Sequence, residues 1–106
     1  MSIVKVEELR ELAHGSIDTS YVAVGSHFAN PIFILNIVND TDGGLYISYN
    51  GSTDHQRIPA KSSFVWDLNA NKDTDNQLVF RASTTVYVKR DAVLSEGAVY
   101  VTSVYK

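Results

Sequence analysis

The spacing of apolar and polar residues changes character near residue 20. Between Val4 and Ala13 the apolar positions Val6, Leu9, Leu12 and Ala13 recur at helical spacing, and Glu7, Glu8 and Glu11 lie off that stripe. The two early glutamates suit a helix N-terminus, and Gly15 suits the stop that follows. The pattern predicts a short amphipathic helix of about three turns, marginal alone in water, whose stripe must dock on something.

From Tyr21 the period shortens to that of strands. Tyr21–Val24 is a short strand ended by Gly25. The run Ile32–Val38 is apolar on both alternating faces, which predicts a central strand covered on both sides. Asn39–Gly44 is a turn by composition. Leu45–Tyr49 is the next strand, closed by the turn pair Asn50-Gly51. Gln56–Ile58 stops at Pro59, and Ser63–Leu68 aligns Phe64, Trp66 and Leu68. A polar loop, Asn69–Asn76, precedes strands over Gln77–Arg81 and Thr84–Lys89; after the loop Asp91–Gly97, Ala98–Tyr105 is the last strand. About eight short strands separated by turns predict an all-β fold, a single small sandwich. The spacing admits a jelly-roll-like or an immunoglobulin-like arrangement, because strand pairing is not encoded locally. The expected organisation is one domain, with a helical arm over 1–17 and a β-sandwich over 20–106.

Composition narrows the partners. The chain has 106 residues, enough for one core, and 44% are hydrophobic, which argues against disorder. Without cysteine there is no disulfide, thiolate metal site or thiol nucleophile. Nine Lys and Arg against twelve Asp and Glu give a net charge of -3, a poor match to a phosphate backbone, so no nucleic-acid partner is expected. No apolar run approaches the length of a membrane helix, and the N-terminus turns acidic at once instead of opening a signal peptide, so no membrane partner is expected and synthesis is placed in the cytoplasm.

A search for chemistry returns no catalytic, cofactor-binding or metal-ligating set. His14, His27 and His55 are scattered and form no H-x-x-x-H pair. Asn71–Asn76 alternates oxygen ligands like a calcium loop, but Asn76 stands where glycine is needed and Ala82 where glutamate is needed. Asn39–Gly44 fails likewise, with Asn50 at the glutamate position. No G-x-S-x-G elbow exists, and Asp54-His55 implies no nucleophile. The sequence therefore reads as non-enzymatic, with no cofactor.

The aromatic residues are more informative. Tyr46 falls on the strand face opposite Leu45 and Ile47, and Tyr87 on the face opposite Val86 and Val88. Such tyrosines serve as interface anchors, finish cross-strand pairs on a solvated sheet, or stack on sugars. Tyr46, Tyr87 and Tyr100, with Val6, Leu9 and Leu12 of the arm, form the expected interface set. The arm packs either on its own sandwich or on a neighbouring subunit.

One resemblance spans nearly the whole chain. It is carried by Glu8-Leu9-Arg10 with Gly15-Ser16-Ile17, Asn39-Asp40-Thr41-Asp42, Ile47-Ser48-Tyr49-Asn50-Gly51 with Asp54-His55, Ile58-Pro59-Ala60, Trp66-Asp67, Asn71-Lys72, Thr85–Lys89 and Gly97–Val101. In this order of turns and strands the chain resembles small virion structural proteins of tailed bacteriophages, which decorate or cement capsids or sit in head-to-tail and tail assemblies. The resemblance implies a β-sandwich or jelly-roll unit present as a homo-oligomer in the virion. Its implied partners are the major capsid protein or neighbouring virion proteins. The leading expectation is a capsid decoration or cement protein; a head–tail connector, a tail component or a glycan-binding host-contact module is the alternative.

Overall fold

The computed structural model describes residues 4–68 and 79–105. Nine strands are formed among the described residues: β1 (Lys5–Val6), β2 (Arg10–Ala13), β3 (Val22–Ala23), β4 (Ile34–Asn39), β5 (Leu45–Ser48), β6 (Gln56–Ile58), β7 (Ser62–Asp67), β8 (Tyr87–Arg90) and β9 (Ala98–Tyr105). They make two antiparallel sheets. Sheet A runs β1–β9–β4–β7, with β2 also on β9, and sheet B runs β3–β8–β5–β6. Their inner faces share one core: Leu35, Ile37, Val99 and Val101 from sheet A meet Leu45, Ile47, Ile58 and Val88 from sheet B. The all-β sandwich expectation holds at this level.

The expected N-terminal helix is not formed. Residues Lys5–Val6 and Arg10–Ala13 are edge strands on β9, followed by a single 3₁₀ turn at His14–Ser16. The reason is a bulge. Lys5 faces Tyr105 and Val6 faces Val104, but Arg10 faces Val101, so three residues (Glu7, Glu8, Leu9) oppose two (Thr102, Ser103). One extra residue shifts the alternation by one and imitates a helical period. Val6 and Leu9 therefore turn outward, 61% and 54% exposed, while Leu12 packs against the core. A three-turn helix has little stability of its own, whereas the edge of β9 supplies backbone partners at once. In the arm, Glu7 donates its N–H to Ser103 O (3.0 Å) and His14 to Gly97 O (3.0 Å).

The bulge also turns two charges inward. Arg10 lies over the Phe28 ring at 5.1 Å and donates from Nε to Ser26 O (2.8 Å), from Nη1 to Ser103 Oγ (3.0 Å), and from Nη2 to Glu7 Oε1 (2.8 Å) and His27 O (3.1 Å). Glu7 Oε2 accepts from Asn30 N (3.0 Å) and Nδ2 (2.8 Å). Both side chains are more than nine-tenths buried. Burial alone would raise the Glu7 carboxyl, but the bonds from Arg10 and Asn30 outweigh it and hold the group below its ordinary value. This cluster clamps the arm to the loop after β3.

The central strand is also other than expected. β4 pairs on both edges, with β9 and with β7. Its faces differ, however: Leu35, Ile37 and Asn39 are buried against sheet B, while Ile34, Asn36 and Val38 are only half-buried. One face is covered, not two. Of the expected strand over Gln77–Arg81, the described part is a single bridge from Phe80 to Ile32, with N–H···O bonds of 2.7 and 2.9 Å. The expected loop Asn69–Asn76 lies outside the described residues.

Candidate functional site: an apolar sheet face

The two outer faces of the sandwich have opposite chemistry. On sheet B, register places Arg57, Tyr46 and Lys89 side by side. Lys89 Nζ sits 4.8 Å from the Tyr21 ring centre and 5.5 Å from that of Tyr46, and pairs with Asp54 at 3.0 Å. Arg57 pairs with Asp91 at 3.2 Å. The Tyr21 hydroxyl donates to Asp54, which the Tyr21 and Lys89 contacts hold below the ordinary carboxylate value, while burial and Asp54 raise Tyr21. These are the cross-strand pairs of a solvated sheet.

Sheet A carries no such layer. Its outer rows, read across the strands, are Val6–Val104–Ile34–Asp67, then Thr102–Asn36–Val65, then Glu11–Tyr100–Val38–Ser63, with Leu9 beside them at the bulge; the two acidic residues stand at the margins. At about 4.8 Å between strands and about 7 Å between alternate residues, these rows span on the order of 300 Å², polar positions included, and Val6, Leu9 and Val65 are the large apolar side chains most exposed on them. Asn36 sits in the middle. Its Oδ1 is buried and has no hydrogen-bond partner among the described residues. Such an acceptor costs about 1–3 kcal/mol. Asn36→Val is therefore expected to raise the stability of the isolated protein by about 1 kcal/mol, seen as a higher urea midpoint at unchanged slope.

The expected interface residues thus divide. Val6, Leu9 and Tyr100 lie on or beside the open face of sheet A. Leu12 belongs to the core margin. Tyr46 lies within the charged layer of sheet B, and Tyr87, on the same face, lines a shallow groove of about 320 Å³ with Tyr49, Asn50, Arg81 and Thr84. Sequence reasoning missed Ile34, Val38, Val65 and Val104. The signal was present, since β4 is apolar on both alternating sides.

No protein-family model, curated protein or solved structure matches the chain. The functional reading therefore starts from its own geometry.

Histidine and acidic side chains are dispersed among the described residues. No three His, Asp or Glu side chains gather there in a group able to hold a metal ion, and no helix is long and apolar enough to cross a membrane. Asp54 and His55 are engaged separately: His55 stacks on Tyr49 at 5.6 Å, and its Nδ1 accepts the Tyr49 N–H at 3.1 Å. Trp66 Nε1 donates to the Tyr49 hydroxyl (2.9 Å), which donates to Gln56 Oε1 (2.6 Å). Burial pushes Tyr49 up to about 12. This aromatic cluster, with Phe80 packed on both Tyr49 and Trp66, joins β5 and β6 to β7 across the two sheets.

Proposed function

We propose that the protein is a non-enzymatic structural component of a bacteriophage particle, a capsid decoration or cement protein that grips its neighbour through the outer face of sheet A. The observation that carries the docking surface is β4, whose inner side is buried while Ile34 and Val38 on its outer side, flanking Asn36, are only half-buried. A strand written for two covers is expected to find the second in an assembly. The virion setting and the choice of the major capsid protein, or an adjoining virion protein, as partner are supported by the motif resemblance. So is a site of action in the virion after synthesis in the host cytoplasm.

Strand order supports a jelly-roll reading. With the bulged arm counted as one strand, the pairs arm–β9, β3–β8, β4–β7 and β5–β6 are nested about the β5–β6 turn. That is a ribbon folded over itself into two four-stranded sheets. An immunoglobulin order keeps its first two strands in one sheet, whereas the arm and β3 lie in different sheets.

Many copies turn a modest contact into firm attachment, and binding only the assembled state stabilises it by mass action. Copy counting by mass spectrometry of purified particles tests the reading. Hundreds of copies are expected; six or twelve would move the protein to the neck or tail. In Val6→Lys/Leu9→Lys both positions are more than half exposed, so stability is expected within about 0.5 kcal/mol per site, while copies per particle fall at least about tenfold. Unchanged incorporation would rule the face out.

A further inference from the structure

Asn50-Gly51 is the one Asn-Gly pair in the sequence. Such a pair is chemically fragile, because glycine, without a Cβ, leaves the approach to its nitrogen open. In an open chain the Gly51 nitrogen attacks Asn50 Cγ. The N–Cγ bond forms, the Cγ–Nδ2 bond breaks, and ammonia leaves with the glycine proton. Water then opens the cyclic imide at either carbonyl and leaves aspartate or isoaspartate. The reaction has two requirements. The carboxamide must turn toward the glycine nitrogen, and that nitrogen must give up its proton.

The fold obstructs both. Ser48, the last residue of β5, is fully buried. Its hydroxyl donates to Asn50 Oδ1 (2.9 Å) and accepts the N–H groups of Gly51 (2.9 Å) and Asn50 (3.2 Å). A hydroxyl has one donor and two lone pairs, so this one is fully used. Asn50 Oδ1 also accepts from Ser52 N and Thr53 N, both at 2.9 Å, and its Nδ2 donates to Thr53 Oγ1 at 3.0 Å. Both ends of the carboxamide are therefore held, although Asn50 is exposed. Gly51 has φ +84°, and a Cβ built on it would lie 3.3 Å from Tyr87 Cζ, so the ring covers one side of this glycine.

We propose that Asn50 is a latent deamidation site and that Ser48 keeps it closed. Conversion waits for the turn to open, when the Ser48 hydroxyl releases the Gly51 N–H and the carboxamide together. The product puts a carboxylate into the groove that Asn50 lines with Tyr87 and Arg81. Isoaspartate also adds a methylene to the main chain, which displaces the bonds of the turn. The turn follows β5 of sheet B, and none of these residues belongs to the open face of sheet A.

Peptide mapping by mass spectrometry, after incubation of the full chain at mildly alkaline pH, follows conversion at Asn50. The wild type unfolded in urea is expected to convert at least about a hundredfold faster than the folded wild type, since the folded chain reacts only through local opening. Folded Ser48→Ala is expected to convert at least about tenfold faster than the wild type, with hydrogen exchange at the Gly51 amide accelerated by the same factor. Thr53→Val, at an exposed position, frees Nδ2 alone and is expected to raise the rate a few-fold at unchanged circular dichroism, which keeps the test open should Ser48→Ala unfold. Equal rates in folded and unfolded wild type would overturn the proposal. So would a folded Ser48→Ala no faster than the wild type, or a Ser48→Ala that unfolds beside a Thr53→Val with no rise.

Discussion

Replacing Arg10 with alanine is expected to remove about 3–5 kcal/mol of folding stability, a large share of what a domain this size possesses. The loss has two parts. Glu7 is left buried without its cation, and the carbonyls of Ser26 and His27 lose their donor. The arm then keeps only its backbone bonds to β9, so the effect appears first as fraying of β1 and β2 in hydrogen exchange. pH separates this account from simple loss of packing. In the wild type the Glu7 carboxyl sits below its ordinary value, so its contribution is complete above about pH 4–5 and is lost as pH falls through the folded value. Without Arg10, two of the contacts that hold Glu7 down are gone and burial weighs more, so its carboxyl rises relative to the wild type and its protonation costs less. The penalty measured in urea is therefore expected to shrink between pH 7 and pH 4. A penalty independent of pH would mean that packing of the arginine stem on Phe28, and not the ion pair, holds the arm. Glu7→Gln/Arg10→Ala is expected to recover part of the loss, because the stranded charge is gone.

Gly97→Ala is expected to cost about 2–5 kcal/mol. Gly97 has φ +90°, and a Cβ there would lie 1.8 Å from Asp40 O and 2.9 Å from Thr41 Cα. Both obstacles are backbone, so no side chain can swing aside. Moving Asp40 would break its N–H bond to Ala98 O (3.0 Å) and disturb Asn39. That buried residue donates to Gly43, Ile58 and Pro59 carbonyls at 2.9–3.0 Å and accepts from Thr41. The consequence reaches the open face, because this contact fixes the end of the β4–β9 pairing that presents Val38 and Tyr100. Thermal unfolding provides the comparison, at about 4–8 °C per kcal/mol. Gly15→Ala, with nothing within 4 Å of the added carbon, is the control and should melt near the wild type.

Much of the fold was legible because strands announce themselves where one face is buried and turns are chemically marked. Pro59 ends β6 at Ile58, and Gly97 precedes a β9 that runs over the expected Ala98–Tyr105. The arm was misread for a physical reason. Val6, Leu9, Leu12 and Ala13, with Glu7, Glu8 and Glu11 off their stripe, fit a helix surface, and a one-residue bulge gives the same spacing. The β-branched alternation Val4-Lys5-Val6 was the available counter-signal. Burial of Arg10 was not legible, since its acceptors come from residues 26, 27 and 103. The open face was half-legible: Ile34, Val38 and Val104 read as apolar, but which sheet side meets the core depends on long-range pairing.

The most direct test of the docking face compares the two outer sheets in one experiment. A photoreactive side chain is placed at Tyr100 on sheet A or at Tyr46 on sheet B, and purified particles are irradiated. Cross-linking from position 100 to one defined virion protein, and none from position 46, is the expected result. Cross-links from position 46 alone, or particles that contain no copy of the chain, would contradict it.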